Sequence, residues 1–264
     1  MGRVIIMSTI LAYAKDFISM EKVEINHIPC LKFKPREAKE LLPTVLYYHG
    51  WGSNKENQTF KASIIACNGY QVIVPDSIYH GERNHIDHNA TGIMEKYFWE
   101  VVLNSVEESK HLIGEIIRYH EADSNRIGIM GHSMGGFISS GAFCINKKIK
   151  CMINYNGSCA WVRADEIFRK MYNQQPANEK EISRLRKYDL IKHHEVLKLR
   201  PILILHGAAD TSVPIDSQRI FYKEISSLYK EKPEKLTFIE YPRLDHYMGV
   251  GMLEEGILWF KRYL

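Results

Sequence analysis

In this 264-residue chain the segment Gly131-His132-Ser133-Met134-Gly135-Gly136 sets a serine among glycines, after an apolar run at 126–130 and before a helix-like run at 137–145. A serine on so sharp a strand-to-helix turn stands clear of the backbone, and flanking glycines remove the Cβ atoms that would collide with neighbouring chain. Gly-x-Ser-x-Gly alone is a modest signal, because any tight turn rich in small residues can produce it. The strand before it and the helix after it give it weight, and the chemistry they point to is nucleophilic attack by Ser133. The Met134 amide, at the start of that helix, faces the place where an oxyanion would develop and is aided by the positive helix N-terminus. A serine is a poor nucleophile until a base takes its proton, so a histidine is required, with an acid to hold its tautomer. Twelve histidines compete for the first role. For the second, Asp210 follows the apolar run 202–205 and a glycine, which places it at the same sheet edge as Ser133. The stretch His80-Gly81-Glu82-Arg83-Asn84-His85-Ile86-Asp87-His88 is dense in metal-ligand types. Its spacing fits none of the short zinc signatures, and serine chemistry needs no metal, so neither metal nor cofactor is expected.

The elements that must position these residues follow from the pattern of apolar runs. Short extended runs at 23–25 and 30–33 predict two opening strands joined by a turn at Asn26-His27. Residues 44–48 and 71–74 predict buried strands, the first stopped by His49-Gly50-Trp51-Gly52, with a helix over 60–67 between them. Apolar residues at helical spacing, among them Val102, Val106, Ile113, Ile116 and Ile117, predict a long amphipathic helix within 91–120. Further strands are expected at 126–130, 151–155, 202–205 and 236–241, and a terminal helix at 252–264. Strands alternating with helices argue for an α/β class, a mostly parallel sheet covered on both faces. Between 157 and 200 the sequence turns charged and helix-rich, with Trp161, Phe168, Met171 and Tyr172. That segment reads as a small helical cap inserted between two strands, or equally as a crossover helix with a long polar loop.

Taken together, His49-Gly50-Trp51-Gly52, Pro75-Asp76-Ser77-Ile78-Tyr79-His80-Gly81, the Ser133 turn, His206-Gly207-Ala208-Ala209-Asp210 with Val213-Pro214, and Asp245-His246 resemble the α/β-hydrolase superfamily. Within it the chain is similar to compact esterases related to prolyl-oligopeptidase and dienelactone-hydrolase enzymes, over roughly residues 22–264. The resemblance implies the α/β-hydrolase fold and a chain order of nucleophile, acid and histidine, which selects Ser133, Asp210 and His246. Asp216 and Asp245 are rival acids. Asp245 is next to His246 in sequence and poorly disposed to face its ring, and Asp216 begins a helix, where capping is the plain explanation. The resemblance also implies that the Trp51 amide is the second oxyanion donor beside Met134. It places His80-Gly81 in a loop that buttresses the rim of the site, with Tyr79 touching substrate. Trp161, Trp51 and the 157–200 segment are expected to shape the substrate pocket.

The bulk properties bound the rest. With 45% hydrophobic residues the chain can bury one sizeable core, so a single domain over 20–264 is expected, preceded by an extension at 1–19. A net charge of +4 is ordinary solvated surface and does not indicate nucleic acid. Five cysteines without a Cys-x-x-Cys pair read as reduced thiols in a cytoplasmic protein. The apolar run at 4–11 imitates a secretory signal only loosely, being broken by Ser8 and Thr9. No stretch approaches the roughly 20 apolar residues of a membrane span. The expectation is a cofactor-free hydrolase of small-molecule carboxylic esters, of short acyl chains, acting through an acyl-enzyme on Ser133. A peptidase or amidase of the oligopeptidase type, and a non-catalytic binding module on the same fold, are the alternatives, separable by peptide substrates and by labelling of Ser133. The oligomeric state is left open by the sequence.

Overall fold

The structure, a computed structural model, describes residues 16–38 and 40–264; the first fifteen residues of the expected extension lie outside the described residues. Strands β1 (Ile18–Ile25) and β2 (Ile28–Pro35) form an antiparallel hairpin. Its two-residue turn puts Asn26 and His27 at φ 51° and 62°, the left-handed pair that a twisted hairpin favours. Strand β1 begins two residues before the expected start at Met20, because Ile18 already buries its side chain, at 4% exposure.

Strands β3 (Leu42–Tyr48), β4 (Gln71–Pro75), β5 (Ala122–His132), β6 (Ile149–Tyr155), β7 (Ile202–Gly207) and β8 (Leu236–Tyr241) run parallel. The sheet order is β1-β2-β4-β3-β5-β6-β7-β8. Successive strand residues face opposite ways. Leu46, Ile73, Ile129, Met152 and Ile204 enter one core, and Val45, Val72, Met130, Ile153 and Leu205 the other. Burial on both faces is why these strands read as near-continuous apolar runs.

The second of these cores is covered by α1 (Thr59–Cys67), through Ala62, Ile65 and Ala66. The long α2 (Ile93–Tyr119) and α3 (Met134–Ile145) cover the first. Helix α2 buries Phe98, Val101, Val102, Val106, Leu112, Ile113 and Ile116, a stripe at the three- and four-residue spacing read in the sequence. Between β6 and β7 the described chain is helical, with α4 (Trp161–Met171), α5 (Glu179–Arg186) and α6 (His194–Leu197). Helix α7 (Asp216–Ile225) joins the first face through Phe221 and Ile225, and α8 (Val250–Tyr263) joins the second through Met252, Leu253, Ile257 and Phe260.

The helices between β6 and β7 are tied to the body by polar contacts. The Trp99 indole donates to Asp165 Oδ1 at 2.7 Å, and Arg169 grips both Asp165 Oδ2, at 2.8 Å, and Glu181. The buried Asp189 carboxylate accepts the Trp161 and Val162 amides at 2.8 and 3.0 Å, satisfying the orphan donors at the start of α4. Among the described residues no helix is long and apolar enough to cross a membrane. Six parallel strands, an antiparallel entry and helices on both faces make this the α/β-hydrolase fold, and its parallel strands bring the ends of β3, β5, β6 and β7 to one edge.

Candidate active site

Ser133 sits between β5 and α3 with φ 57° and ψ −123°, a left-handed setting for a residue bearing a Cβ. Such backbone costs on the order of 1–3 kcal/mol and persists only where the surroundings enforce it. Here the Ser133 amide donates to Tyr155 O at 2.9 Å, and the Ser133 carbonyl accepts from Gly136 at 2.8 Å. The glycines are required by close approach. A Cβ on Gly131 would run into the Gly135 carbonyl, and one on Gly135 into the Tyr48 and His49 carbonyls. The small residues thus let β3, β5 and α3 converge and leave Ser133 only partly buried at their meeting point.

His246 lies in the loop between β8 and α8, and its Nδ1 is 2.8 Å from Asp210 Oδ2. Asp210, in the loop after β7, uses Oδ1 to accept the Ser212 and Val213 amides at 2.9 and 2.8 Å, which fixes its rotamer. The wholly buried His206 Nε2 is 3.3 Å from Asp210 Oδ2 and 2.8 Å from the Val213 carbonyl. Burial by itself would raise the Asp210 carboxyl, but hydrogen bonds from His206 and His246 outweigh it and hold the carboxyl well below its ordinary range. The rival acids are engaged elsewhere. Asp245 accepts the Thr211 amide and hydroxyl, and Asp216 lies on the surface, 3.4 Å from Arg219. Two loops are laced together here, with the Ala208 amide on Tyr241 O and the Ala209 amide on Leu244 O.

The His49-Gly50-Trp51-Gly52 segment leaves β3 beside this edge. Among the described residues neither the Trp51 nor the Met134 amide has a backbone acceptor in a turn, loop or cap. The segment is held by two buried imidazoles. His49 Nδ1 donates to Gly50 O at 2.8 Å and Nε2 accepts the Ser77 amide; His80 Nδ1 donates to Ile78 O at 2.8 Å and Nε2 accepts the Gly52 amide at 3.2 Å. Burial pushes His80 down to about 3, so it stays neutral and keeps its acceptor nitrogen. Beneath them Lys55 Nζ meets Asp76 Oδ2 at 2.6 Å, with both side chains almost wholly buried.

The residues expected at the site are thus placed unequally. Ser133, Asp210, His246, Trp51 and Met134 all fall on loops or helix starts at the one sheet edge. His80 lies behind the Trp51 segment as a buried support and presents no surface to a substrate. Tyr79, at φ 62°, is half-buried, and its hydroxyl donates to Glu100 at 2.8 Å. Trp161 offers no surface to a substrate. It is fully buried under α2 and α3, its indole donating to Ser140 Oγ at 2.9 Å, because the first turn of α4 packs inward. Sequence reasoning missed Lys55 and Asn156, and it named Asp76 only as part of a family motif, with no role of its own. A buried lysine has no local signature, although the polarity of Asp76 directly after the apolar run Val72-Ile73-Val74-Pro75 was a usable hint.

The fold and this edge define an α/β-hydrolase. The chain matches the prolyl oligopeptidase family over residues 104–264 and belongs to that family. It is 32% identical over 259 residues to the Bacillus subtilis protein named "Putative esterase YitV", covering 94% of this chain and all of the other. It is 27% identical to the "Esterase YjfP" of Escherichia coli, again over 94% of this chain and all of that one. Among solved structures it superposes on an acylaminoacyl peptidase of Pyrococcus horikoshii with a TM-score of 0.72 at 18% identity, over 96% of this chain and 43% of that one. The protein is a serine hydrolase of the prolyl oligopeptidase family.

Proposed function

We propose that this hydrolase cleaves carboxylic esters of short acyl chains through an acyl-enzyme on Ser133. The observation that carries the reading is the His246 Nδ1 to Asp210 Oδ2 contact of 2.8 Å on two loops of the edge that holds the left-handed Ser133. Asp210 fixes the tautomer with hydrogen on Nδ1, which leaves Nε2 as the base. Ser133 Oγ attacks the acyl carbon as His246 Nε2 takes its proton, and the carbonyl oxygen becomes an oxyanion held by the Trp51 and Met134 amides. Collapse expels the alcohol, which receives the proton from His246. Water then attacks the acyl group with the same base, and the acid leaves.

Ester rather than amide substrates are favoured because the chain spans the full length of two relatives named as esterases. Peptide or aminoacyl amides are the second reading, favoured by the family match itself. The test is turnover of p-nitrophenyl esters of increasing acyl length beside aminoacyl amides, with Ser133→Ala as control. Acetyl and butyryl esters should be preferred, and Ser133→Ala should lose on the order of 10⁶-fold in kcat. A Ser133→Ala enzyme at wild-type rate would sink the acyl-enzyme reading.

A further inference from the structure

We propose that Asn156 is a positioning residue that holds the Ser133 elbow, the Asp210 loop and the His246 loop in one register. The inference rests on the serine-hydrolase reading of the site and adds to it a residue that touches none of the reacting atoms. Asn156 follows β6, is wholly buried, and has φ 46°, a conformation that asparagine tolerates better than most residues. Each atom of its amide is committed to a different loop. Oδ1 accepts the Gly207 amide at 2.9 Å, at the end of β7 three residues before Asp210. Nδ2 donates to Tyr247 O at 3.0 Å, one residue beyond His246. The same Nδ2 lies 3.3 Å from Nε2 of His132, the residue before Ser133.

The contact to His132 reaches the site through its ring, whose centroid is 4.9 Å from that of His246 at a 41° tilt. Burial first, and the neighbouring His246 second, push His132 down to about 3, so its Nε2 is a free acceptor for the Asn156 amide. A neutral ring with its proton on Nδ1 is therefore held beside the tilted ring of His246. The backbone around Asn156 repeats the pattern. The Ser133 amide is bound to the carbonyl of Tyr155, and the Asn156 amide to the carbonyl of Leu205, at 2.9 and 3.0 Å. One buried side chain thus spans the nucleophile, acid and base segments, which no local sequence pattern joins.

Misplacing reacting groups by about 1 Å can cost on the order of 100-fold in rate. Two variants separate positioning from mere packing. Asn156→Gly keeps the left-handed backbone and removes every side-chain contact; Asn156→Asp keeps the shape and the Gly207 contact but donates to neither Tyr247 O nor His132. Each should be titrated with a fluorophosphonate to count competent serines, and kcat and KM measured per titrated site on p-nitrophenyl acetate. Expected is a kcat lower by about 10- to 100-fold in both variants, with KM within about twofold of wild type. Wild-type kcat per titrated site in either variant would overturn the inference, whatever happens to its melting temperature. Failure of the wild type to label at Ser133 would instead overturn the functional reading beneath it.

Discussion

Asp210 carries two histidines on one carboxylate oxygen, and that crowding keeps the carboxyl charged. Oδ2 faces His246 at 2.8 Å and His206 at 3.3 Å, while Oδ1 is spent on two backbone amides. The carboxyl is depressed by these partners against the opposing effect of burial. A carboxyl lowered in the folded state adds stability that is fully present above its ordinary value of 3.8 and is lost as pH falls through the depressed one. Asp210→Asn should therefore have two separable effects. Activity on a short ester should fall by about 10⁴, since the amide no longer fixes the productive tautomer of His246. The variant should also lose less melting temperature than wild type between about pH 5 and about pH 3, because that titration is gone. Parallel acid melting curves would contradict the depressed carboxyl; an unchanged kcat would contradict the role.

At the scale of elements, the sequence disclosed what local patterns encode. The strands β3 to β7 are legible as near-continuous apolar runs because both faces are buried, the stripe on α2 because one-sided burial imposes a helical period, and the Ser133 turn because Gly131 and Gly135 answer close backbone approaches. What stayed hidden is set by packing between segments far apart in the chain. Trp161 looked like a pocket wall, but the direction of α4 turns it under α3, and that direction depends on Asp189, 28 residues away. Burial raises the Asp189 carboxyl to about 6, against the two α4 amides that favour its anion. A carboxyl raised in the folded state makes the native protein bind the proton more tightly, so its contribution to stability falls as pH rises from 3.8 through about 6. Asp189→Asn keeps an acceptor without the charge and should gain melting temperature relative to wild type as pH goes from about 4 to about 8. Asp189→Ala should lose about 1 kcal/mol of capping near pH 4, and its deficit should shrink as pH rises, because the same titration is gone. Wild type and Asp189→Asn melting in parallel across this range would refute the raised carboxyl.

The molecule as a whole must hold the Trp51 segment against the β4 exit, and that task falls to an ion pair placed where water does not reach. Lys55 Nζ bonds Asp76 Oδ2 at 2.6 Å and Glu82 Oε1 at 2.8 Å, and the Lys55 amide bonds Asp76 Oδ1 at 2.9 Å. Arg83 donates to the Asp76 carbonyl and forks onto Glu108 of α2, so the same network reaches the helix that packs behind the nucleophile. Removing one partner of a buried pair is worse than removing both, because the remaining charge keeps its desolvation cost without its attraction. Lys55→Met should cost about 3 kcal/mol, a fall of roughly 6–12 °C in melting temperature for a chain of this size. Pairing it with Asp76→Asn should restore part of that loss. Turnover should fall in the single variant even well below its melting point, because the segment that carries the proposed Trp51 oxyanion donor is no longer fixed to β4. If Lys55→Met melts within about 2 °C of wild type, the pair is not the buried anchor its geometry describes.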